Sequence, residues 1–117
     1  MEQSAATEPM SEERASDRRE SDRVPISLFV RDAAQGGSYE EHDGNIALGG
    51  FYFVALHPPG GDRFDVRVVL PGTQDEFTAT GEVLRISRDG PRYGTHLRFS
   101  DIGLEAELKL ARWLQRG

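Results

Sequence analysis

Three arginines near the amino terminus have types and spacing suited to holding an anion. Arg18, Arg19 and Arg23 lie in the segment DRRESDR, directly before an apolar run that begins at Val24. Each arginine carries a planar fork of N–H groups that can donate two parallel hydrogen bonds to one phosphate. A separation of four residues on a flexible segment lets Arg19 and Arg23 converge on a single anion. The segment therefore predicts a site for a small anionic ligand.

The same arginines also have a simpler interpretation as a solvated, charged leader. Acidic residues alternate with them, and exposed ion pairs of that kind contribute little to stability. The formal net charge of −6 argues against a general nucleic-acid binder, because such proteins gain affinity from a basic surface. We therefore expect no binding of DNA or RNA, whereas a small anion held by a local cluster remains compatible.

A second polar segment opens the most apolar part of the chain. It reads Asn45-Ile46-Ala47-Leu48-Gly49-Gly50 and is followed by a predicted strand over residues 51–56. The Asn45 amide can both accept and donate hydrogen bonds. Gly50 allows the backbone to approach a ligand or to take a positive φ. The alternative is a plain β-turn or bulge, because asparagine and glycine favour such geometry without any ligand.

Other chemistry has little support in the sequence. There is no cysteine, which removes disulfides, thiolate metal sites and cysteine nucleophiles. His42, His57 and His96 lack the spacing of metal ligands, so we expect no metal and no cofactor. No nucleophile elbow, P-loop or zinc-protease motif occurs, and the carboxylates are scattered. We therefore expect no catalytic residues and no enzymatic activity.

The elements that must position these residues are short strands. Residues 24–30 alternate strictly, with Val24, Ile26, Leu28 and Val30 on one face. Further strands are predicted at 51–56, 63–70, 76–87 with a bulge at Gly81, and 92–99. Residues 31–44 are predicted to be a loop with at most a short strand at 38–41. Five or six antiparallel strands at this spacing indicate a sandwich or a barrel.

The carboxy-terminal residues change to a helical period. Leu104, Leu108, Ala111 and Leu114 or Gln115 fall on one helical face, flanked by Leu110 and Trp113. We expect this leucine stripe to pack on an open end or face of the strands.

The order of a basic segment, short strands and a final helix resembles the PilZ domain family. The family's first motif is R-x-x-x-R before the first strand, and Arg18-Arg19-Glu20-Ser21-Asp22-Arg23 matches it with a doubled first arginine. The second motif is (D/N)-x-S-x-x-G, and residues 45–50 match it, with Ala47 in place of serine. The segments Gly81-Glu82-Val83 and Tyr93–Phe99 are also similar. The resemblance runs from about residue 17 to the end.

This resemblance implies an all-β protein with one helix, a six-stranded antiparallel PilZ-type β-barrel with a C-terminal α-helix over residues 17–117. Residues 1–16 would form a disordered acidic tail. The implied ligand is cyclic di-GMP, and the implied function is a receptor in bacterial second-messenger signalling. In that function the ligand orders the arginine segment over the barrel and regulates an effector protein in motility, exopolysaccharide production or a similar process. The implied contacts are Arg18, Arg19, Arg23, Asn45, Ala47 and Gly50. If the family serine bonds the ligand, Ala47 costs about 0.5–1.5 kcal/mol of affinity.

A second interpretation is a degenerate PilZ-like adaptor that binds a protein partner and no nucleotide. Its contact surface would be the apolar edge at Phe51, Tyr52 and Phe53, or the helix with Trp113. In both interpretations we expect a cytoplasmic protein without membrane insertion. The reasons are the lack of cysteine, of a signal peptide and of any apolar run near the roughly 20 residues that span a bilayer.

Overall fold

Six antiparallel strands closed into a barrel, followed by one helix, make up the computed structural model, which describes residues 23–116. The elements are β1 (Val24–Asp32), β2 (Glu40–Ala47), β3 (Gly50–Ala55), β4 (Arg63–Val69), β5 (Glu76–Asp89), β6 (Arg92–Asp101) and α1 (Leu104–Arg116). Their order around the barrel is β1–β2–β3–β6–β5–β4, and β4 pairs back with β1. The predicted barrel with a carboxy-terminal helix is confirmed. The predicted tail of residues 1–16 lies outside the described residues.

The core lies inside the barrel and follows from the alternation of each strand. In β1, Ile26, Leu28 and Val30 are buried, as predicted, while Ser27 between them is exposed. Inward side chains of the other strands meet them there. The largest fully buried apolar side chains are Phe51, Leu28, Ile46, Leu70, Leu97 and Leu110. Burial of one such side chain is worth about 1.5–3 kcal/mol, so these residues hold the strands in register.

The loop predicted over residues 31–44 is wrong, because Glu40–Ala47 forms a complete strand. It pairs with β1 from Val24↔Ile46 to Val30↔Glu40, and with β3 from Gly44↔Phe53 to Ala47↔Gly50. The pattern did not reveal β2 because its first six residues are polar or glycine and add nothing large to the core. Backbone pairing on both sides determines its conformation. Asn45 therefore lies in a strand, and the turn contains only residues 48 and 49.

An irregularity occurs at Gly81, as predicted, but the residue without a partner there is Ser100 of β6, and β5 carries a bulge of its own further on. The β5–β6 register shifts between Thr80 and Gly81 and again between Val83 and Arg85. A Cβ at Gly81 would lie 2.5 Å from the Phe51 ring, so a glycine is needed there to admit the aromatic core side chain. At the second shift Leu84 has no partner residue in the ladder and is 62% exposed.

The helix packs a face that overlaps the predicted one only in part. Leu110 is fully buried, and Ala106, Trp113 and Leu114 are half-buried against the core. The predicted stripe is wrong for Leu104 and Leu108, which are 72% and 48% exposed, whereas its last member, Leu114, does contact the core. The observed face follows the spacing i, i+4, i+7, i+8 of an amphipathic helix. Trp113 also fixes it, since its Nε1 donates to the Pro71 carbonyl at 2.9 Å.

Among residues 23–116, no helix has the length and apolar character needed to cross a bilayer.

Candidate ligand-binding surface

Four side chains form a row across the outer face of the barrel. Pairing places Asn45 opposite Tyr52, Tyr52 opposite His96, and His96 opposite Arg85. The residues before and after Tyr52 and His96 along their strands are buried, so these four point outward by alternation. Neighbouring strands lie about 4.8 Å apart, so the row spans about 14 Å. We call these four residues, Asn45, Tyr52, His96 and Arg85, the central row.

Arg23 reaches the end of the central row. It directly precedes β1, whose Pro25 pairs with Asn45, and its Nη1 donates to Asn45 Oδ1 at 3.2 Å. The contact is exposed and contributes little to stability. Its importance is positional, because it joins the last arginine of the first motif to the first residue of the second. Arg18 and Arg19 lie outside the described residues.

Ala47 and Gly50 lie beside Arg23 and Asn45, at the closed end of the β2–β3 hairpin. They pair with each other, and Gly50 also pairs with Arg98. A Cβ at Gly50 would lie 2.1 Å from the Leu97 carbonyl oxygen, which is far inside contact distance. The close approach of β3 to β6 is therefore enough by itself to require a glycine at position 50, whether or not a ligand binds there. Ala47 is only 4% exposed.

The Tyr52 ring packs over Gly94 of the neighbouring strand β6. A Cβ at Gly94 would lie 2.3 Å from Tyr52 Oη and 2.5 Å from Cε1, so the ring occupies the space above this glycine. Tyr52 Oη donates to Asp89 Oδ2 at 3.3 Å, and the ring centroid is 4.5 Å from that of His96. Burial, followed by the negative charge of Asp89, raises the pKa of Tyr52 above its usual value. The phenol is therefore neutral at physiological pH.

His96 occupies the centre of the same surface. Its Nε2 lies 3.0 Å from Ser87 Oγ. Burial lowers the pKa of His96 below its usual value, and the positive charges of Arg85 and Arg23 lower it further. The ring is therefore uncharged at neutral pH. Arg85 and Arg23 therefore both lie close enough to act electrostatically on this imidazole, whereas Asp89 exerts the leading charge effect on the neighbouring Tyr52.

The arginines of this surface differ in their partners. Arg98 forms an ion pair with Glu82, with Nη2 2.9 Å from Oε1. Neither Arg23 nor Arg85 forms an ion pair with a carboxylate of residues 23–116. Their guanidinium groups can therefore donate to an incoming anion without first giving up a carboxylate within this region.

A cavity of about 870 Å³ lies elsewhere, at the end of the barrel formed by the β1–β2 hairpin and the β3–β4 loop. Its lining includes the carboxylates of Asp32, Glu40, Glu41 and Asp43 and the guanidinium groups of Arg31 and Arg92. The carboxylates outnumber the arginines, and this excess of negative charge disfavours a phosphate ligand there. Across residues 23–116, no three His, Asp or Glu side chains are grouped in a way that could hold a metal ion.

The sequence predicted the two motifs and missed most of the outer face around them. Arg23 and Asn45 are brought into contact, and Ala47 and Gly50 lie next to them. Tyr52 was predicted only as part of an adaptor's contact surface, His96 was named only among the histidines without metal-ligand spacing, and Arg85 was not predicted as a site residue. A turn at residues 48 and 49 would have been a sufficient signal for Tyr52, because the pair Ala47↔Gly50 requires the pair Asn45↔Tyr52.

Comparison with known proteins gives one family and several similar folds. The PilZ domain family model matches residues 17–116. Inhibitor of motility (MotI/DgrA) from Bacillus subtilis has a TM-score of 0.63 and 18% identity, covering 80% of this chain and 46% of that one. The PilZ domain of YcgR from Escherichia coli, solved with c-di-GMP, has a TM-score of 0.57 and 19% identity, covering 81% of this chain and 88% of that one.

A pathogenic protein from Xanthomonas campestris, described as a tetrameric PilZ domain, has a TM-score of 0.50 and 22% identity, covering 71% of this chain and 48% of that one. The chain thus spans less than half the length of the Bacillus and Xanthomonas structures. At these identities the similarity establishes the fold. Comparison with curated proteins gives no match.

Proposed function

The chain belongs to the PilZ domain family, and from this premise we propose that it is a receptor for cyclic di-GMP. In this proposal the ligand binds between the arginine segment and the outer face of β2 and β3. Binding changes the surface presented to an effector protein, and no reaction is catalysed. The process controlled would be motility, exopolysaccharide production or a similar bacterial output, in the cytoplasm.

The observation that carries the proposal is the contact between the two motifs. Arg23 and Asn45 are 22 positions apart in sequence, and the Arg23 Nη1 to Asn45 Oδ1 distance is 3.2 Å. A ligand held by both motifs needs them side by side on one surface. The contact is exposed and is worth little by itself, so a ligand can replace it at small cost.

The ligand chemistry matches the side chains available there. Cyclic di-GMP carries two phosphates and two guanines, and an arginine fork can donate in pairs to a phosphate or to guanine O6 and N7. The Asn45 amide oxygen can accept from a guanine N–H. Arg18 and Arg19 enter the proposal through the family motif and would join Arg23 on the ligand. Contacts made only in the bound state supply the free energy for a switch, because a ligand shifts an equilibrium only by its differential affinity.

Ala47 sets the expected affinity. It lies between Asn45 and Gly50 on the outer face, where the family pattern has a hydroxyl. We expect Ala47→Ser to tighten binding of cyclic di-GMP roughly twofold to tenfold, the value of one added hydrogen bond of about 0.5–1.5 kcal/mol. An unchanged affinity in calorimetric titration would mean that the ligand makes no bond at this position.

Calorimetric titration of the full chain with cyclic di-GMP tests the main proposal. We expect wild-type binding in the micromolar range or tighter, and a loss of at least about 100-fold in Arg19→Ala/Arg23→Ala, since hydrogen bonds to charged groups are worth about 1.5–3 kcal/mol each. Arg63→Ala/Arg112→Ala is the matched control, because it removes the same charge from exposed positions on β4 and α1. No wild-type binding at tens of micromolar would refute the receptor, and equal losses in both double variants would refute the site.

A nucleotide-independent adaptor remains a second candidate, and Ala47 is the feature that favours it. The surface predicted for it needs correction, because Phe51 and Phe53 are buried in the core and Trp113 is half-buried against it. Of the three aromatic residues in β3, only Tyr52 points outward. An adaptor using this edge would therefore contact Tyr52 and its outer-face neighbours.

A further inference from the structure

The Tyr52 ring lies over Gly94 on the outer side of the sheet and is partly exposed. The ring rests above Gly94, where any Cβ would collide with it, and the hydroxyl is tied to Asp89 at the β5–β6 hairpin. The neighbouring His96 ring limits movement on one side, with centroids 4.5 Å apart. A flat aromatic side chain fixed on three sides is a surface on which a nucleic-acid base can stack.

Arginines lie at both ends of the aromatic pair formed by Tyr52 and His96. Arg23 approaches through Asn45 on the β2 side, and Arg85 lies beyond His96 on the β5 side. Arg85 is two strands from Tyr52, about 10 Å between backbones at ordinary strand spacing. A purine stacked on Tyr52 and extending over His96 would bring its edge within reach of the Arg85 side chain. Arg23, at the opposite end, is positioned for the phosphate.

We propose that Tyr52 is the base-stacking residue of the nucleotide site, and that Arg85 reads the O6 and N7 edge of the stacked guanine. This inference rests on the proposed receptor function and adds base recognition to it. His96 is a positioning residue that fills the space between the two and is held through Ser87 at 3.0 Å. Arginine paired with guanine O6 and N7 is the commonest specific contact to that base, and adenine lacks the matching pair of acceptors.

A purely structural role for these residues gives a different expectation. If Tyr52 and Arg85 only brace β3 against the β5–β6 hairpin, their replacement would alter stability and leave discrimination between bases unchanged. Selectivity between cyclic di-GMP and cyclic di-AMP is therefore the decisive quantity. These two probes share the cyclic sugar-phosphate backbone and differ in the hydrogen-bonding edge of the purine.

The experiment measures dissociation constants of both probes for wild type, Arg85→Gln and Tyr52→Leu. We expect Arg85→Gln to weaken cyclic di-GMP about tenfold and not to weaken cyclic di-AMP, because glutamine can pair with adenine N6 and N7, so that selectivity falls by at least about tenfold. Tyr52→Leu should weaken either probe by about fivefold to 150-fold, because stacking is tolerant of base identity. The upfield shift of guanine H8 in NMR spectra, caused by the Tyr52 ring, should disappear in this variant.

Two matched controls come from the same chain. Arg88→Gln changes an arginine three residues along β5, whose guanidinium lies 4.8 Å from the Tyr93 ring. Tyr39→Leu removes a tyrosine that also has an arginine over its ring, at 4.5 Å, but lies near the β1–β2 hairpin. Both controls should keep wild-type affinity and selectivity within about twofold.

The outcomes separate the two proposals. If wild type binds and both variants retain its affinity and selectivity, the base-recognition inference is refuted and the receptor stands. If wild type binds neither probe, both fall together. If Tyr52→Leu loses its fold by circular dichroism, the exposed Arg85→Gln change still decides through its selectivity ratio.

Discussion

Replacing Gly50 by alanine separates two reasons for a glycine at this position, the packing of β3 on β6 and the close approach of a ligand. The added Cβ would lie 2.1 Å from the Leu97 carbonyl oxygen and 2.9 Å from Arg98 Cα. Ordinary contacts between heavy atoms lie at about 3.5–4 Å. Backbone atoms cannot rotate away as a side chain can, so the two strands would have to part by about 1 Å.

The position of Gly50 limits the size of the effect. It is the first residue of β3 and lies at one end of the β3–β6 pairing, and the adjacent hydrogen bond from Phe99 N to the Gly49 carbonyl is 2.9 Å long. Strand ends can shift more easily than strand centres, so we place the cost at the usual value for overpacking, about 2–3 kcal/mol. For a domain of about 100 residues this lowers the melting temperature by roughly 10–20 °C.

Urea unfolding followed by circular dichroism measures this cost, with Gly49→Ala as the control. A Cβ at Gly49 would meet no atom within 4 Å, and Gly49 is not among the glycines of positive φ. Alanine there should leave the free energy of unfolding unchanged or raise it by up to about 1 kcal/mol. If Gly50→Ala unfolds at the wild-type urea concentration, the packing explanation is wrong. If it keeps its stability and loses cyclic di-GMP, the glycine serves the ligand.

Three further predictions concern the helix and the outer face. Leu110→Ala should lower the free energy of unfolding by about 2–5 kcal/mol. Leu104→Ala and Leu108→Ala, at exposed positions, should lower it by no more than about 0.5 kcal/mol. A loss of stability in Leu108→Ala equal to that in Leu110→Ala would contradict the observed packing face. Trp113→Phe should cost about 1 kcal/mol in urea unfolding, because the indole N–H donates to a turn carbonyl; no loss would show that the bond contributes nothing. Burial lowers the pKa of His96 in the folded protein below its ordinary value of 6.5, so the unfolded chain binds more protons. Wild-type stability should therefore fall as the pH drops from about 7 through 6.5 toward the folded pKa, by at most about 1.4 kcal/mol per pH unit. The stability of His96→Gln should depend less on pH in that window, and identical profiles for the two proteins would exclude His96 as the cause.

The strands that were predictable from the sequence are those with one apolar face. In β1 every second residue enters the core, and that alternation gave the strand and its inward side chains. β2 has almost no apolar residue before Ile46, so its pairing with two neighbours left no trace in the pattern. The helix was predicted but its orientation was not, because leucines or alanines occur on both faces. Ala106, Leu110 and Trp113 have the same i, i+4, i+7 spacing as Leu104, Leu108 and Ala111, so spacing alone does not choose between the two faces.

The candidate site was predictable as two motifs and not as a surface. Motif spacing selected Arg23 and Asn45, and the structure places these two side chains in hydrogen-bond contact. Which residues face each other on neighbouring strands depends on the pairing register, and a single sequence indicates that register only where a short turn fixes it. The turn at residues 48 and 49 would have given Tyr52 opposite Asn45, and the β3–β6 pairing then gives His96. That second step joins strands distant in sequence, and no local signal reveals it.

The outward position of Arg85 depends on the bulge at Leu84, which the regular alternation of a strand does not predict. Val83 pairs with Leu97 on the inner side of the barrel, and strict alternation would place the residue two positions later on that side as well. The bulge leaves Leu84 without a partner and brings Arg85 opposite His96, on the outer side. One inserted residue thus moves a guanidinium from the core side of β5 to the surface that carries Tyr52 and Asn45. Bulges commonly re-aim side chains in this way at functional surfaces, so the second shift in β5 is itself an argument that the outer face serves binding.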